Sequence, residues 1–162
     1  MPVPTVIVTA AENYRFNSDF LTRTVEDLSP EEWLKHPNES TNHIAWIVGH
    51  LAYCRGRMLH FIGTEWSLPV LEHFGRGKKR LEDSACPAPE LLLKAWSESG
   101  EALAAGLENA PEDLLAQAAT QGPPSVNGKI SGIVDFMAIH ETYHIGQASY
   151  VRSWLGHKGL MG

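Results

Sequence analysis

The sequence is poor in the features that mark several large protein classes. It has only two cysteines, Cys54 and Cys86, in 162 residues, too few for a disulfide framework. Basic residues are in the minority: 13 Lys and Arg stand against 19 Asp and Glu, a formal net charge of −6. Nucleic-acid binding needs clustered Lys and Arg against phosphate, so no nucleic-acid partner is expected. The one basic run, Arg76-Gly77-Lys78-Lys79-Arg80, falls in an expected loop and reads as solvated surface, with an anionic ligand or partner as the alternative. No hydrophobic run approaches the length of a membrane span. The first residues, Met1 to Val8, lack the basic start and the apolar length of a secretory signal. Internal repeats, heptads and low-complexity tracts are absent as well. These absences lead to the expectation of a reduced, cytoplasmic protein with no membrane partner.

What remains is ordinary globular material, with hydrophobic residues at 43% and charged residues at 20%. The length suits one compact domain over residues 1–162, large enough to bury a core without staples. Apolar periodicity predicts four long helices and no strand, an all-α four-helix bundle. The first helix is expected over Val6 to Leu28, with Ala10, Tyr14, Asn17, Leu21, Val25 and Leu28 inward. Ser29-Pro30-Glu31-Glu32 reads as a capping box that opens a short turn. A second helix runs from a Thr41 cap to Gly63. Residues 64–87, with Pro69, Gly75, Gly77 and Pro87, form a connection long enough to cross a bundle or cover a site. The third helix runs from Pro89 to Glu108, and Pro111 begins another short turn. The fourth runs from Ser131 to Leu155, with Gly156 as its stop.

The fourth helix carries an apolar stripe, Ile133, Met137, His140, His144, Ala148, Val151 and Leu155, with two histidines at its middle. At about 100° per residue they lie about 40° apart, one turn along the axis. The second helix has a matching stripe, Ile47, His50, Cys54, Met58 and Ile62. A single buried imidazole needs only hydrogen-bond partners. Three at comparable depth on two core stripes point to a shared divalent metal, because neutral imidazole is a good ligand for Zn²⁺, Ni²⁺, Fe²⁺ or Cu²⁺. Three histidines leave a position for water or substrate, as catalytic sites do.

His140-Glu141-Thr142-Tyr143-His144 also matches the H-E-x-x-H pattern of zinc proteases, in which the Glu is the general base. The longer metzincin pattern fails, with Gln147 in place of its glycine and Tyr150 in place of its third histidine. Glu141 is thus the candidate catalytic residue, with an exposed helix carboxylate as the alternative. Cys54, one turn after His50, is a candidate fourth ligand or a small buried apolar residue. His43, Tyr53, Arg57, Tyr143, Gln147 and Arg152 are near enough in sequence to line a cavity, and Arg57 or Arg152 suits a substrate carboxylate. His36, His60, His73 and His157 show no ligand spacing, and Trp46 reads as core.

At these residues the chain resembles the DinB/YfiT-like superfamily. Asn42-His43-Ile44-Ala45-Trp46-Ile47-Val48-Gly49-His50-Leu51 is similar to its first signature, a Trp followed by a Gly-His-Leu-like step. His140-Glu141-Thr142-Tyr143-His144-Ile145-Gly146-Gln147 is similar to its second. The resemblance implies a four-helix bundle with a long crossover between helices two and three, and a metal, zinc or nickel, on His50, His140 and His144. It also implies a homodimer, an expectation to which Trp66, Leu68, Val70 and Phe74 in the connection add apolar surface. Characterised relatives include S-transferases that use bacillithiol or mycothiol, and a thiol-dependent isomerase. The leading expectation is therefore a metal-dependent enzyme that performs thiol S-transfer or hydrolysis on a small molecule, with a low-molecular-weight thiol as co-substrate. A non-catalytic metal-containing binding or sensing module is the alternative, with a zinc protease and a metal-free bundle behind it.

Overall fold

The structure, a computed structural model, describes residues 2–161 and contains no strand among them. Its helices are α1 (Val8–Val25), α2 (Ile44–Phe61), α3 (Pro89–Glu108), α4 (Glu112–Leu115) and α5 (Ile130–Trp154). The four long ones form the bundle. The short α4 is the turn expected after Pro111. None of the helices is long and apolar enough to cross a membrane.

Helix ends follow local chemistry. Ser29 and Glu32 form the expected reciprocal box: the Glu32 amide donates to Ser29 Oγ, and the Ser29 amide donates to Glu32 Oε2 at 2.8 Å. Gly156, at φ +93°, closes α5 in a conformation that other residues resist. Several boundaries differ from the sequence reading: α1 ends at Val25 and not Leu28, α2 ends at Phe61 and not Gly63, and both starts move. Residues Thr5–Ile7 form a 3₁₀ turn, so α1 starts at Val8. Thr41 does not cap α2. That role falls to His43, whose Nδ1 accepts the Trp46 amide at 3.0 Å. The Thr41 carbonyl instead accepts from Arg80 Nη1 at 3.1 Å, which ties the basic end of the crossover to the start of α2.

All six inward residues expected on the first helix are buried. Around the bundle, α1 packs on α5, α5 on α2 and α2 on α3, which leaves the seam between α1 and α3 the loosest. The buried apolar residues form two clusters. One surrounds Ile47, Leu51, Phe74 and Trp96. The other surrounds Met58, Leu59, Leu103 and Ile133. Arg152 pins the far end of α5 to α1, through a bidentate pair with Asp27 and a bond to the Thr24 carbonyl at 3.0 Å. Arg152 is thus a structural residue and not a substrate ligand.

The connection between α2 and α3 crosses the bundle and packs on it. Its middle, Pro69–Phe74, is a 3₁₀ helix that buries Leu71 and Phe74. Trp66, Leu68 and Val70 are half-buried and pack against the core clusters, so part of their apolar surface is used within the chain. Phe74 lies directly on the α2 backbone at Gly49, where a Cβ would come within 2.6 Å of the ring. Gly49→Ala therefore forces the crossover outward. We expect it to cost about 1–3 kcal/mol, the range for overpacking a filled core, read as a lower urea midpoint. Unchanged stability would show that the Phe74 ring moves aside freely.

Candidate metal centre

The three histidines expected on core stripes meet. His50 from α2 and His140 and His144 from α5 each offer a ligand atom, and these atoms all lie within 4.8 Å of one another. His50 and His144 are buried and His140 is half-buried. His140 Nε2 and His144 Nε2 are 3.2 Å apart.

The opposite edges of two rings fix their tautomers. His50 Nδ1–H donates to the Phe74 carbonyl at 2.7 Å. His144 Nδ1–H donates to Gln147 Oε1 at 2.8 Å. In both rings Nε2 is left with a lone pair directed at the common point. A hydrogen bond from the outer ring nitrogen is what orients a metal-ligating imidazole. It also explains two elements of the sequence. Gly49 admits Phe74, whose carbonyl orients His50, and Gln147 orients His144 from one turn further along α5. His140 Nδ1 is the exception, buried with no partner.

The rings are held by aromatic neighbours. The half-buried Trp46 stacks on His50 with centroids 4.5 Å apart and planes 13° from parallel. Tyr143 meets His144 edge-on at 5.2 Å, and Phe136 lies 6.5 Å from His140. Burial pushes His50 and His140 down to about 4, and each is lowered further by His144. Burial also lowers His144, against a hydrogen bond to Gln147 that raises it. All three are neutral near pH 7, the form that binds metal.

The residues present fit a divalent cation. His140 Nε2 and His144 Nε2, 3.2 Å apart, are bridged either by a proton on His140 Nε2 or by a cation between them. Ligands at zinc–nitrogen distances of about 2.0–2.1 Å in a tetrahedral arrangement would sit about 3.3 Å apart, close to that separation. Cys54 Sγ is 3.6 Å from His50 Nε2 but does not belong to the group of mutually close ligand atoms. Burial, reinforced by the Glu141 charge, pushes the thiol up to about 12.

Glu141 is placed differently from either expectation. It is not an exposed helix carboxylate, being 2% exposed. Both of its oxygens accept from Arg55, Oε2 from Nε and Oε1 from Nη2, each at 2.8 Å. It is not among the clustered ligands. The general base required by the protease reading of H-E-x-x-H is therefore engaged by a buried guanidinium. Arg55 in turn donates to Ser18 Oγ at 2.9 Å and lies over the Trp96 ring at 3.3 Å from its centroid. Sequence reasoning missed Arg55. A signal was available, since Arg55 keeps helical phase with the core residues Leu51, Leu59 and Ile62, as Glu141 does with Val134, Ala138 and Ile145. Two opposite charges on buried phases point to each other. Arg57 is exposed and lines a separate small cavity of about 100 Å³ with Tyr53, His60 and Trp66. His43 caps its helix, and burial lowers it to about 4. His157 pairs with Glu32 at 2.9 Å.

The chain is thus a helical bundle in which three histidines from two facing helices form a group that could hold a metal ion. The comparisons agree. The DinB superfamily profile matches residues 14–148, and the chain belongs to that superfamily. No curated protein matches it. A solved structure, described as a conserved protein of locus from Enterococcus faecalis, has the same fold: TM-score 0.72 at 14% identity, over 92% of this chain and 96% of that one.

The Arg55–Glu141 pair gives a direct test. Glu141→Gln leaves Arg55 buried against a neutral amide, and we expect a loss of about 3–5 kcal/mol, the range for breaking one side of a buried pair. Replacing both, Arg55→Met with Glu141→Leu, should recover most of that loss in chemical denaturation. A Glu141→Gln protein of undiminished stability would mean that the carboxylate is protonated or solvated.

Proposed function

We propose that His50, His140 and His144 hold one divalent ion, zinc or nickel, and that the protein is a metal-dependent enzyme acting on a small molecule. The observation that carries this reading is the convergence of three imidazoles, two of them locked by Nδ1 bonds with Nε2 turned inward. An ion held by three neutral ligands acts as a Lewis acid that lowers the pKa of a thiol or a water at its open position. The chain supplies the rest. The Phe74 carbonyl and Gln147 hold the ring orientations. Trp46, Phe136 and Tyr143 flank the rings with apolar surface. No carboxylate joins the cluster, so the charge of the ion is uncompensated by its ligands. That favours an anionic occupant of the open position, which a thiolate is. We therefore place thiol S-transfer to an electrophile first, with a low-molecular-weight thiol as co-substrate, and hydrolysis second. Two free cysteines suit a reducing compartment such as the cytoplasm.

One observation favours the non-catalytic binding or sensing module. Cys54 Sγ, 3.6 Å from His50 Nε2, would close the site if it moved in as a fourth ligand. Cys54→Ser distinguishes the two readings, since it weakens metal binding only if the thiol is a ligand.

Protein purified without an affinity tag should carry about one zinc or nickel per chain, and metal should raise its melting temperature. His144→Ala should lose the ion and that stabilisation, with a fold cost of about 1–3 kcal/mol for the cavity. A thiol-plus-electrophile screen then separates transfer from hydrolysis. Wild-type protein that takes up no divalent metal at micromolar concentration would overturn the reading.

We also propose a homodimer, supported by a different surface from the crossover. Ile139, Tyr143, Tyr150 and Trp154 share one exposed face of α5 beside the histidines. Light scattering should report twice the chain mass, and Tyr150→Glu with Trp154→Glu should halve it. A monomer across a wide concentration range would exclude the dimer.

A further inference from the structure

The loose seam between α1 and α3 holds a second cavity, of about 730 Å³. That volume lies in the range of small-molecule sites. It is distinct from the metal centre, since none of the three clustered histidines lines it. Small side chains keep it open: Ala11 and Ser18 on one wall, and Ser97, Gly100 and Ala104 on the other. Gly100 is needed here, because a Cβ would stand 2.7 Å from Arg55 Nη1.

The floor is built from Tyr14, Trp96, Leu103 and Arg55. Arg55 brings no net charge to it, because Glu141 neutralises the guanidinium from behind. The rim is different. Glu12 and Asp19 on α1 and Glu101 and Glu108 on α3 are exposed carboxylates, and Arg15 is the one exposed base among the lining residues. Charges of one sign around a low-dielectric cleft focus their field into it.

We propose that this groove binds a small amphipathic cation, an alkyl- or arylammonium compound whose apolar part lies on the floor and whose ammonium group meets the acidic rim. A neutral apolar floor rules out an anion as the favoured occupant, and the rim repels one.

The test compares dodecylammonium with dodecanoate, both below their micelle-forming concentrations, by titration calorimetry and by the fluorescence of the tryptophans, one of which forms the floor. The ammonium should bind one per chain, at least about tenfold more tightly than the carboxylate. Ala104→Trp fills the groove from a solvent-exposed helix position and should abolish binding while helicity by circular dichroism is unchanged. Glu12→Lys with Glu101→Lys should weaken the ammonium by about tenfold or more and bring the two probes to parity. Should Ala104→Trp fail to fold, the charge-reversal pair carries the test alone, since both side chains are exposed. Equal affinity for the two probes, an undiminished affinity in a folded Ala104→Trp protein, or no binding of the ammonium at millimolar concentration would each overturn the proposal.

Discussion

The structure turns on the buried ion pair between Arg55 and Glu141. Taking two charges out of water costs several kcal/mol each, and their attraction repays this only with near-ideal geometry and further hydrogen bonds. Those conditions are met by all four long helices. α5 gives the bidentate carboxylate. α1 gives Ser18 Oγ. α3 gives the Trp96 ring, whose own Nε1–H donates to the Ser18 carbonyl at 3.3 Å. The pair lies between the two apolar clusters, with Leu51 on one side of Arg55 and Met58 on the other. Sliding α5 along α2 by one turn would bury two unpaired charges. An apolar core tolerates such slips far better, so the pair fixes the register of α2 against α5.

That register is what the histidines require. His140 precedes Glu141 by one residue, and His144 follows it by three. On a helix these positions lie about 100° and 60° from the carboxylate, both on the same side of it. A carboxylate committed to Arg55 therefore sets the rotation at which both imidazoles face α2. On α2 itself, His50 precedes Arg55 by five residues, about 140° around the axis and 7.5 Å along it. Glu141 shapes the site by positioning its ligands, and it does so without touching them. The crossover completes the arrangement from outside: its Phe74 packs on Gly49 and presents the carbonyl that orients His50.

The helices and the histidine cluster were legible because both follow from periodicity. Apolar residues at helical spacing gave four helices within a few residues of their ends, and the same stripes carried His50, His140 and His144 to one level. The pairing of Glu141 with Arg55 was harder to read, because a motif invites attention to the residues within it and the partner lies 86 positions away on another helix. The sequence points to Thr41 as the cap of the second helix because threonine is a common cap, whereas the structure gives that role to His43. A neutral histidine with a free Nδ1 lone pair does the same chemistry once burial keeps it unprotonated. The role of Phe74 was not readable at all. It depends on a backbone carbonyl, which every residue has, and on a crossover path that no local pattern encodes. The burial of Phe74 in the crossover was not legible either, because its packing partners are distant in sequence.

The imidazole cluster is held ready in the folded chain. Nε2 of His50 and of His144 carries an inward lone pair, and His140 Nδ1 is buried with no partner. A neutral His140 with its proton on Nε2 donates to His144 Nε2, and the other tautomer frees that nitrogen for a cation. Burial keeps all three rings neutral. Rotation is opposed in two of them, because His50 and His144 would give up their bonds to Phe74 and Gln147. Stacking on Trp46 holds His50 further. A cation at the centre would draw the three Nε2 atoms together. Since it would bind the folded state and not the unfolded one, its binding free energy would add directly to stability. The rigid frame set by Arg55 and Glu141 thus has a chemical consequence: it holds ligands in place before an ion arrives, so little ordering cost remains when it does.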